Sequence, residues 1–501
     1  MGARRPGLPT GGSPWRKTVP ARLGSVNIVE KTDSLAMAPC DATQNAPPRA
    51  TRLTLATLCM AVLIAQIDTS VVNLAVRPIG RYFHAGMGPL QWVVDGYNLV
   101  YAILLLTGGL LADLYGRRRV FMAGAAVFAV TSFLSAFAPS LPFLIAARSL
   151  AGAGAALLLP ASLATVRVVW TDPVSRGRAL GIWAACNGLA FVVGPALGGF
   201  LIGQFGWRSI FFVVAPVAIA TLLLAPRALP ESSDPEDRHF DAAGQIFGAL
   251  ALAGLVAAAI AWRQTSVAVP LLAGAGLALA LFVRIERRRG AAALVPLDLL
   301  RVRMFRGALT ATAGMTFGMY GVTFLMPLLW IGEGALTPAA AGLALVPMAL
   351  VFTLVSPLSG ALTARLGQRV TAAGGVAVIS CGLMEISLTA SRASLSDSEI
   401  GLVLAGLGMG LATGPLMGAA VGAVSQARSG TAASLINVAR MVGATLGVAI
   451  LGAVFAAAGG GSAGLFWAMG LGGGVQLCAA AWAQAAMRDR NPPARQVALR
   501  S

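Results

Sequence analysis

Two lysines, two histidines and 19 acidic residues in 501 positions leave this chain short of what a water-exposed surface needs. Charged residues make up 11% of it, against roughly a quarter in a soluble protein. The lysines, Lys17 and Lys31, follow no glycine-rich loop. The sequence therefore has no P-loop in which a lysine could hold the β- and γ-phosphates of ATP. His84 and His239 stand alone, and Cys40, Cys59, Cys186, Cys381 and Cys478 are not paired at metal-ligand spacing. No metal centre, no cofactor site and no ligand cluster of the kind a membrane-embedded enzyme needs is expected, so an enzyme is not expected. The first residues are polar and rich in Pro, Arg and Ser, without the apolar core of a signal peptide.

What is abundant is apolar. Hydrophobic residues make up 57% of the chain, and Gly307–Gly332 and Gly334–Ala364 run 26 and 31 residues without a charge. Stretches that long read as membrane spans, and fourteen of them follow one another between Leu53 and Ala486. The predicted fold class is an all-α polytopic membrane protein. Small residues throughout let its helices approach closely. A net charge of +18 would point to nucleic acid in a soluble chain, but here the arginines sit in short loops between apolar stretches. With both termini inside, 30 of the 37 bases fall in inside segments and five in outside loops, so the positive-inside rule predicts cytoplasmic termini. Arg148 and Arg440 fall within spans.

The chain divides into an expected disordered cytoplasmic tail (1–52), a six-helix half (53–226) and a central segment with two inserted helices and linkers (227–306). A second six-helix half (307–486) and a C-terminal tail (487–501) follow. Met37 opens MAPCDATQNAPPRATRL and offers an internal start, which an N-terminal peptide from upstream of it would exclude. The halves carry a repeat. Gly109-x-Leu111 precedes Gly116 and a run of arginines in GGLLADLYGRRR; Gly360-x-Leu362 precedes Gly367 and Arg369 in SGALTARLGQR, 251 residues later. Repeated halves with a site between them are the architecture of secondary transporters.

The first copy, Gly109-x-Leu111-Ala112-Asp113-x-x-Gly116-Arg117-Arg118, resembles the loop signature of the major facilitator superfamily. LIAARSLAGAGAA is similar to that family's fourth-helix motif through Arg148, Gly152 and Gly154. GIWAACNGLAFVVGPALGG is similar to its antiporter motif through Gly181, Gly194, Pro195, Gly198 and Gly199, with Ala190 replacing a glycine. IDTSVVNLAV, QWVVDGYNLVYA, GWRSIFFVVAP, LVPLDLLRVRMF and GTAASLINVARMVGATLGVAI resemble the fourteen-span drug/proton antiporter branch, the quaternary-ammonium-compound resistance type. Its first-helix motif normally ends in Leu-Pro; here Arg77 intrudes before Pro78. The resemblance covers nearly all of residues 53–486. It implies proton-coupled efflux of toxic compounds across a bacterial inner membrane by alternating access. The compounds would be hydrophobic, with a cationic charge left open; a dedicated exporter of one endogenous metabolite or antibiotic is the alternative. The expected partners are a small-molecule substrate, protons and lipid, without nucleic acid, and a monomer is the expected unit.

The physics of single residues narrows the candidates. Asp68 lies ~22 Å into the first span, where a carboxylate is costly and either carries protons or packs as a structural hydrogen bond. Arg148 reaches a similar depth in the fourth span, as a proton-coupling residue by resemblance or as a permanent ion pair. Asp95, a few residues into the second span, is a further proton-coupling candidate or a rim charge in the outer vestibule. The gating candidates are Gly109, Asp113, Gly116 and Arg117, with Gly194 and Pro195 where a proline can kink the fifth span. By resemblance, Asp113 meets the start of the thirteenth span, near Gly430. Asn98 and Tyr101 are candidates to line the substrate cavity. Arg440 reads as structural, and Arg118 and Arg119 as topology signals alone.

Overall fold

The computed structural model describes residues 48–233, 241–290, 293, 295, 297–392, 395–424 and 428–487. Most of the N-terminal tail, Met37, and the C-terminal tail beyond residue 487 lie outside the described residues. Every regular element among the described residues is helical. The first run is α1 (Pro48–Phe83), α2 (Met87–Tyr115), α3 (Arg117–Ala136), α4 (Leu141–Val169), α5 (Pro173–Phe205) and α6 (Ser209–Ala228). A hairpin follows, α7 (Ala242–Ile260) and α8 (Thr265–Arg289). The second run is α9 (Arg303–Gly332), α10 (Pro338–Ala344), α11 (Val346–Val355), α12 (Leu358–Leu366), α13 (Gln368–Thr389), α14 (Leu395–Gly422), α15 (Ser429–Ala457) and α16 (Gly461–Ala486).

Fourteen helices are long and apolar enough to cross a membrane, with α10 and α11 together forming the tenth. That span is not the continuous helix that its composition predicts. Pro347 and Pro357 lack the N–H that would continue the backbone ladder, so the segment is broken into α10, α11 and α12. Elsewhere, local chemistry sets the helix starts. The Asp172 carboxylate accepts the Ser175 N–H at 2.8 Å ahead of α5, and Asp241 accepts the Gly244 N–H at 2.7 Å ahead of α7.

The two runs repeat each other in three dimensions. α3 packs on α4 and α6, α1 on α5 and α6, and α2 on α4. In the second run α13 packs on α14 and α16, α9 on α15 and α16, and α11 on α14. Gly116 and Gly367, 251 residues apart, reverse the chain at φ 104° and 84°, a backbone region that favours glycine. Gly124 and Gly375, the same distance apart, press α3 onto α4 and α13 onto α14 so closely that a Cβ would lie 2.8 Å from the facing backbone.

The runs meet along a seam with matching symmetry. α1 packs on α9, α2 on α15, and α5 on α10. α9 is the innermost span, buried along its whole apolar window. The hairpin docks beside the seam: α7 contacts both α2 and α15, and the Gln245 side chain donates to the Ile103 carbonyl at 2.6 Å and accepts from the Thr107 hydroxyl. Only 17% of the α8 window is covered by protein, which leaves its apolar surface to lipid.

Candidate functional site

Asp68 on α1 and Arg148 on α4 come together although 80 residues separate them. Arg148 Nη1 donates to Asp68 Oδ2 at 2.5 Å, and both side chains are almost wholly buried. Tyr97 of α2 lies under the guanidinium, 4.7 Å from ring centroid to Cζ, and Phe211 of α6 stands at 5.8 Å. Four helices thus enclose one ion pair. A single charge at this depth costs on the order of 3 kcal/mol on insertion scales, so mutual neutralisation is what lets both residues stay there.

The pair sits behind a small cavity in the seam. Gln66, Thr69, Ser70 and Asn73 of α1, Phe191 and Pro195 of α5, and Tyr320 and Thr323 of α9 line it, together with Leu345 and Met348. Its volume of about 20 Å³ holds little more than a water molecule, so a drug-sized compound enters only after the helices move. Thr69 follows Asp68 directly, so a rotation of α1 reaches the ion pair and the cavity wall together.

Asp95 is not a rim charge. It is completely buried, and neither carboxylate oxygen has a hydrogen-bond partner. α2 begins at Met87 and is covered by neighbouring helices from Leu90 onward, so Asp95 is sealed although it lies near the end of the span. Asn98, one turn further on, is equally buried and its amide is also without a partner. Asn98 and Tyr101 do not line the seam cavity. Tyr101 is instead buried against Tyr97, with ring centroids 6.0 Å apart.

At the arginine-rich end, Asp113 closes α2 and accepts from Arg117 Nη2 at 2.9 Å. The Arg117 backbone N–H donates to the Ser232 carbonyl at 2.8 Å. Arg118 and Arg119 do more than orient the chain: both face Glu231, at 3.5 and 3.6 Å. A Cβ on Gly116 would meet the Glu231 carboxylate at 2.5 Å, so the glycine leaves room for this clasp between the α2–α3 turn and the segment after α6. Sequence reading missed Glu231; its one signal was its place as the first acid after the sixth span. Gly109 packs against Pro160 of α4. The expected contact of Asp113 with the start of α15 lies outside the described side chains.

The opposite end of the seam is closed. Arg77 Nε donates to the Leu328 carbonyl at 3.0 Å, and Arg81 Nη2 to the Ile331 carbonyl at 3.1 Å. Gln91 of α2 donates to the Val448 and Ala449 carbonyls of α15, both at 3.1 Å. Gly194 and Pro195 lie within an unbroken α5 and serve close packing. A Cβ on Gly194 would clash with Ser70 of α1, and one on Gly342 of α10 would lie 2.1 Å from the Pro195 carbonyl. No group of three or more His, Cys, Asp or Glu side chains among the described residues could hold a metal ion.

The sequence profile of the Major Facilitator Superfamily matches residues 58–448. The chain belongs to that family. It is 35% identical over 409 residues to the multidrug resistance protein Stp of Mycobacterium tuberculosis, covering 81% of this chain and 76% of Stp. It is 32% identical over 424 residues to the multidrug efflux pump LfrA of Mycolicibacterium smegmatis, covering 83% and 82%. These relatives agree with the drug/proton antiporter branch. Among solved structures, a bacterial homologue of the human lysosomal transporter Spinster superposes with a TM-score of 0.66 at 18% identity, over 90% of this chain and 100% of the other. That likeness shows the transporter fold.

Proposed function

We propose that this protein exports small hydrophobic toxic compounds across a bacterial inner membrane by alternating access, in exchange for protons. The observation that carries the proposal is the Asp68–Arg148 pair, buried one residue away from a polar cavity between two repeated six-helix halves. Both termini are cytoplasmic in this reading, from the 30-to-5 bias of the bases. Residues 53–226 and 307–486 then act as the two moving halves, residues 227–306 hold the inserted hairpin, and one chain suffices. The closed end faces outward, so access opens to the cytoplasm before substrate loads.

Proton coupling follows from opposing forces on Asp68. The arginine favours the carboxylate, and burial favours the neutral acid. A proton arriving from outside discharges Asp68 and frees Arg148, and the loosened contact between α1 and α4 reaches the cavity through Thr69 and Ser70. Asp95, with neither counter-charge nor hydrogen bond, rests stably at its depth only while it carries a proton, which makes it the second proton-carrying group. Asp113, Gly109, Gly116 and Arg117 form the hinge of the cytoplasmic gate. The Arg117–Asp113 and Glu231 contacts hold the α2–α3 turn as a unit.

The test has two layers. An efflux-deficient host expressing the chain should tolerate several unrelated hydrophobic compounds, and protection against one compound only would favour a dedicated exporter. In vesicles, Asp68→Asn mimics the protonated state and should abolish dye efflux driven by an imposed pH gradient. Export by Asp68→Asn with unchanged pH dependence would place the coupling group elsewhere.

A further inference from the structure

A second hollow lies away from the seam cavity, where the hairpin meets the second half. Ala259 at the end of α7 and Trp262 just beyond it form one wall, and Trp467 of α16 forms the other. The floor is the last turns of α15, from Ile450 to the capping Ala458. The groove encloses about 500 Å³, and all eight of its lining residues are Ala, Val, Ile or Trp. Ala453 and Ala457 lie one turn apart on one face of α15, and their lack of bulk leaves the space open. Trp262 and Trp467 stay 41% and 62% exposed, so both walls reach the surface of the bundle. Ala259 and Ile260 pack with Leu446 of α15 and Leu99 of α2, which fixes the hairpin wall in place.

Three features of the groove select what fills it. Only 22% of the α7 window is covered by protein, so the neighbourhood is lipid, and an apolar hollow there excludes water. From Ile450 to Ala458 α15 rises about 12 Å, close to the roughly 15 Å of hydrocarbon in one leaflet. The groove ends level with the α15–α16 turn, where Gly459, Gly460 and Gly461 reverse the chain at positive φ. Tryptophans at such a helix end mark the headgroup level. There the charge sits on the wall itself: Arg263 Cζ stands 6.0 Å from the Trp262 ring centroid. Arg263 is exposed, and no described carboxylate lies within ion-pair distance of it. Its planar fork of donors matches the oxygens of a phosphodiester. We propose that this groove binds one phospholipid, with an acyl chain along α15 between Trp262 and Trp467 and the phosphate on Arg263. The bound lipid ties the inserted hairpin to the second half beside the closed end of the seam. Binding does not depend on what the protein transports; only the assignment to the outer leaflet rests on the orientation proposed above.

The experiment titrates the purified full-length chain with two lipids and counts bound molecules by native mass spectrometry. Dioleoyl phosphatidylglycerol carries the phosphate; dioleoylglycerol has the same chains without it. Wild type should retain one phosphatidylglycerol, and more tightly than dioleoylglycerol. Arg263→Gln should weaken phosphatidylglycerol about fivefold, the share of one interfacial arginine, and leave dioleoylglycerol within about twofold. Ala457→Phe fills the groove from an exposed position and should displace both lipids from the site. A melting temperature near wild type shows that this variant remains folded; if it does not fold, the Arg263→Gln comparison decides, because that side chain packs in no core. Absence of a retained phospholipid in wild type would overturn the proposal. Wild-type retention by folded Ala457→Phe, or equal affinities of wild type and Arg263→Gln for phosphatidylglycerol, would overturn it too. A mass of two chains that Ala457→Phe reduces to one would make the groove a contact between copies instead, and would overturn it as well.

Discussion

The two buried acids of the N-terminal half place opposite demands on their surroundings. Asp68 is held by Arg148 at 2.5 Å, whereas Asp95 touches no polar partner. Their substitutions should therefore separate cleanly. Asp95→Asn replaces a buried carboxyl that has no partner by an uncharged isostere, so the purified variant should melt close to wild type even if transport slows. Arg148→Ala strands the Asp68 carboxylate and removes the cation from the Tyr97 face. Breaking a buried pair in this way costs about 3–5 kcal/mol where the remaining charge finds no relief. A lower melting temperature that recovers when Asp68→Asn is added to Arg148→Ala would confirm that the stranded charge is the cause. No recovery would mean that the arginine acts through packing.

At the level of elements, the closed end of the seam is held by α1 against α9 and α2 against α15. Arg77, which breaks the Leu-Pro ending of its motif, has a structural task. It and Arg81 donate to carbonyls near the end of α9, where free acceptors and the negative end of the helix dipole favour a cation. Each hydrogen bond to a charged group contributes about 1.5–3 kcal/mol when shielded, so losing two should move the balance toward the outward-open state by tenfold or more. The combined variant Arg77→Ala, Arg81→Ala should show longer distances between spin labels on the outer ends of α1 and α9. An unchanged distance distribution would leave the two arginines without a gating role.

For the whole molecule, the strongest expectation is its orientation. Arg289 ends α8 beside Asp241, at 3.4 Å, and belongs to the most arginine-dense inside segment. A cysteine introduced by Arg289→Cys should resist an impermeant thiol reagent in intact cells and react once the membrane is opened. Labelling in intact cells would invert the topology and, with it, the assignment of the closed end. The same orientation places the hairpin α7–α8 at the edge of the seam, with α7 tied to α2 by Gln245 and α8 facing lipid. Its position allows it to follow α2 without lining the cavity.

Sequence alone determined the class, the number of spans, the distribution of bases and the 251-residue repeat. Those properties are local or additive: hydropathy is read within one stretch, charge is counted loop by loop, and glycines such as Gly116 and Gly367 mark backbone reversals wherever they occur. The same locality made Asp68 and Arg148 visible as costly residues. Their pairing was not visible, because it depends on how α1 and α4 rotate against each other. Depth misled for Asp95, since distance from the end of a span says nothing about which neighbours cover it. The break of the tenth span at Pro347 and Pro357 was written in the sequence but outweighed by a long uncharged run. The meeting of Glu231 with Arg118 and Arg119, and of Arg77 with α9, each joins residues more than a hundred positions apart. Only the packing of the two halves decides such contacts, because no periodic pattern in one helix specifies the face that another presents to it.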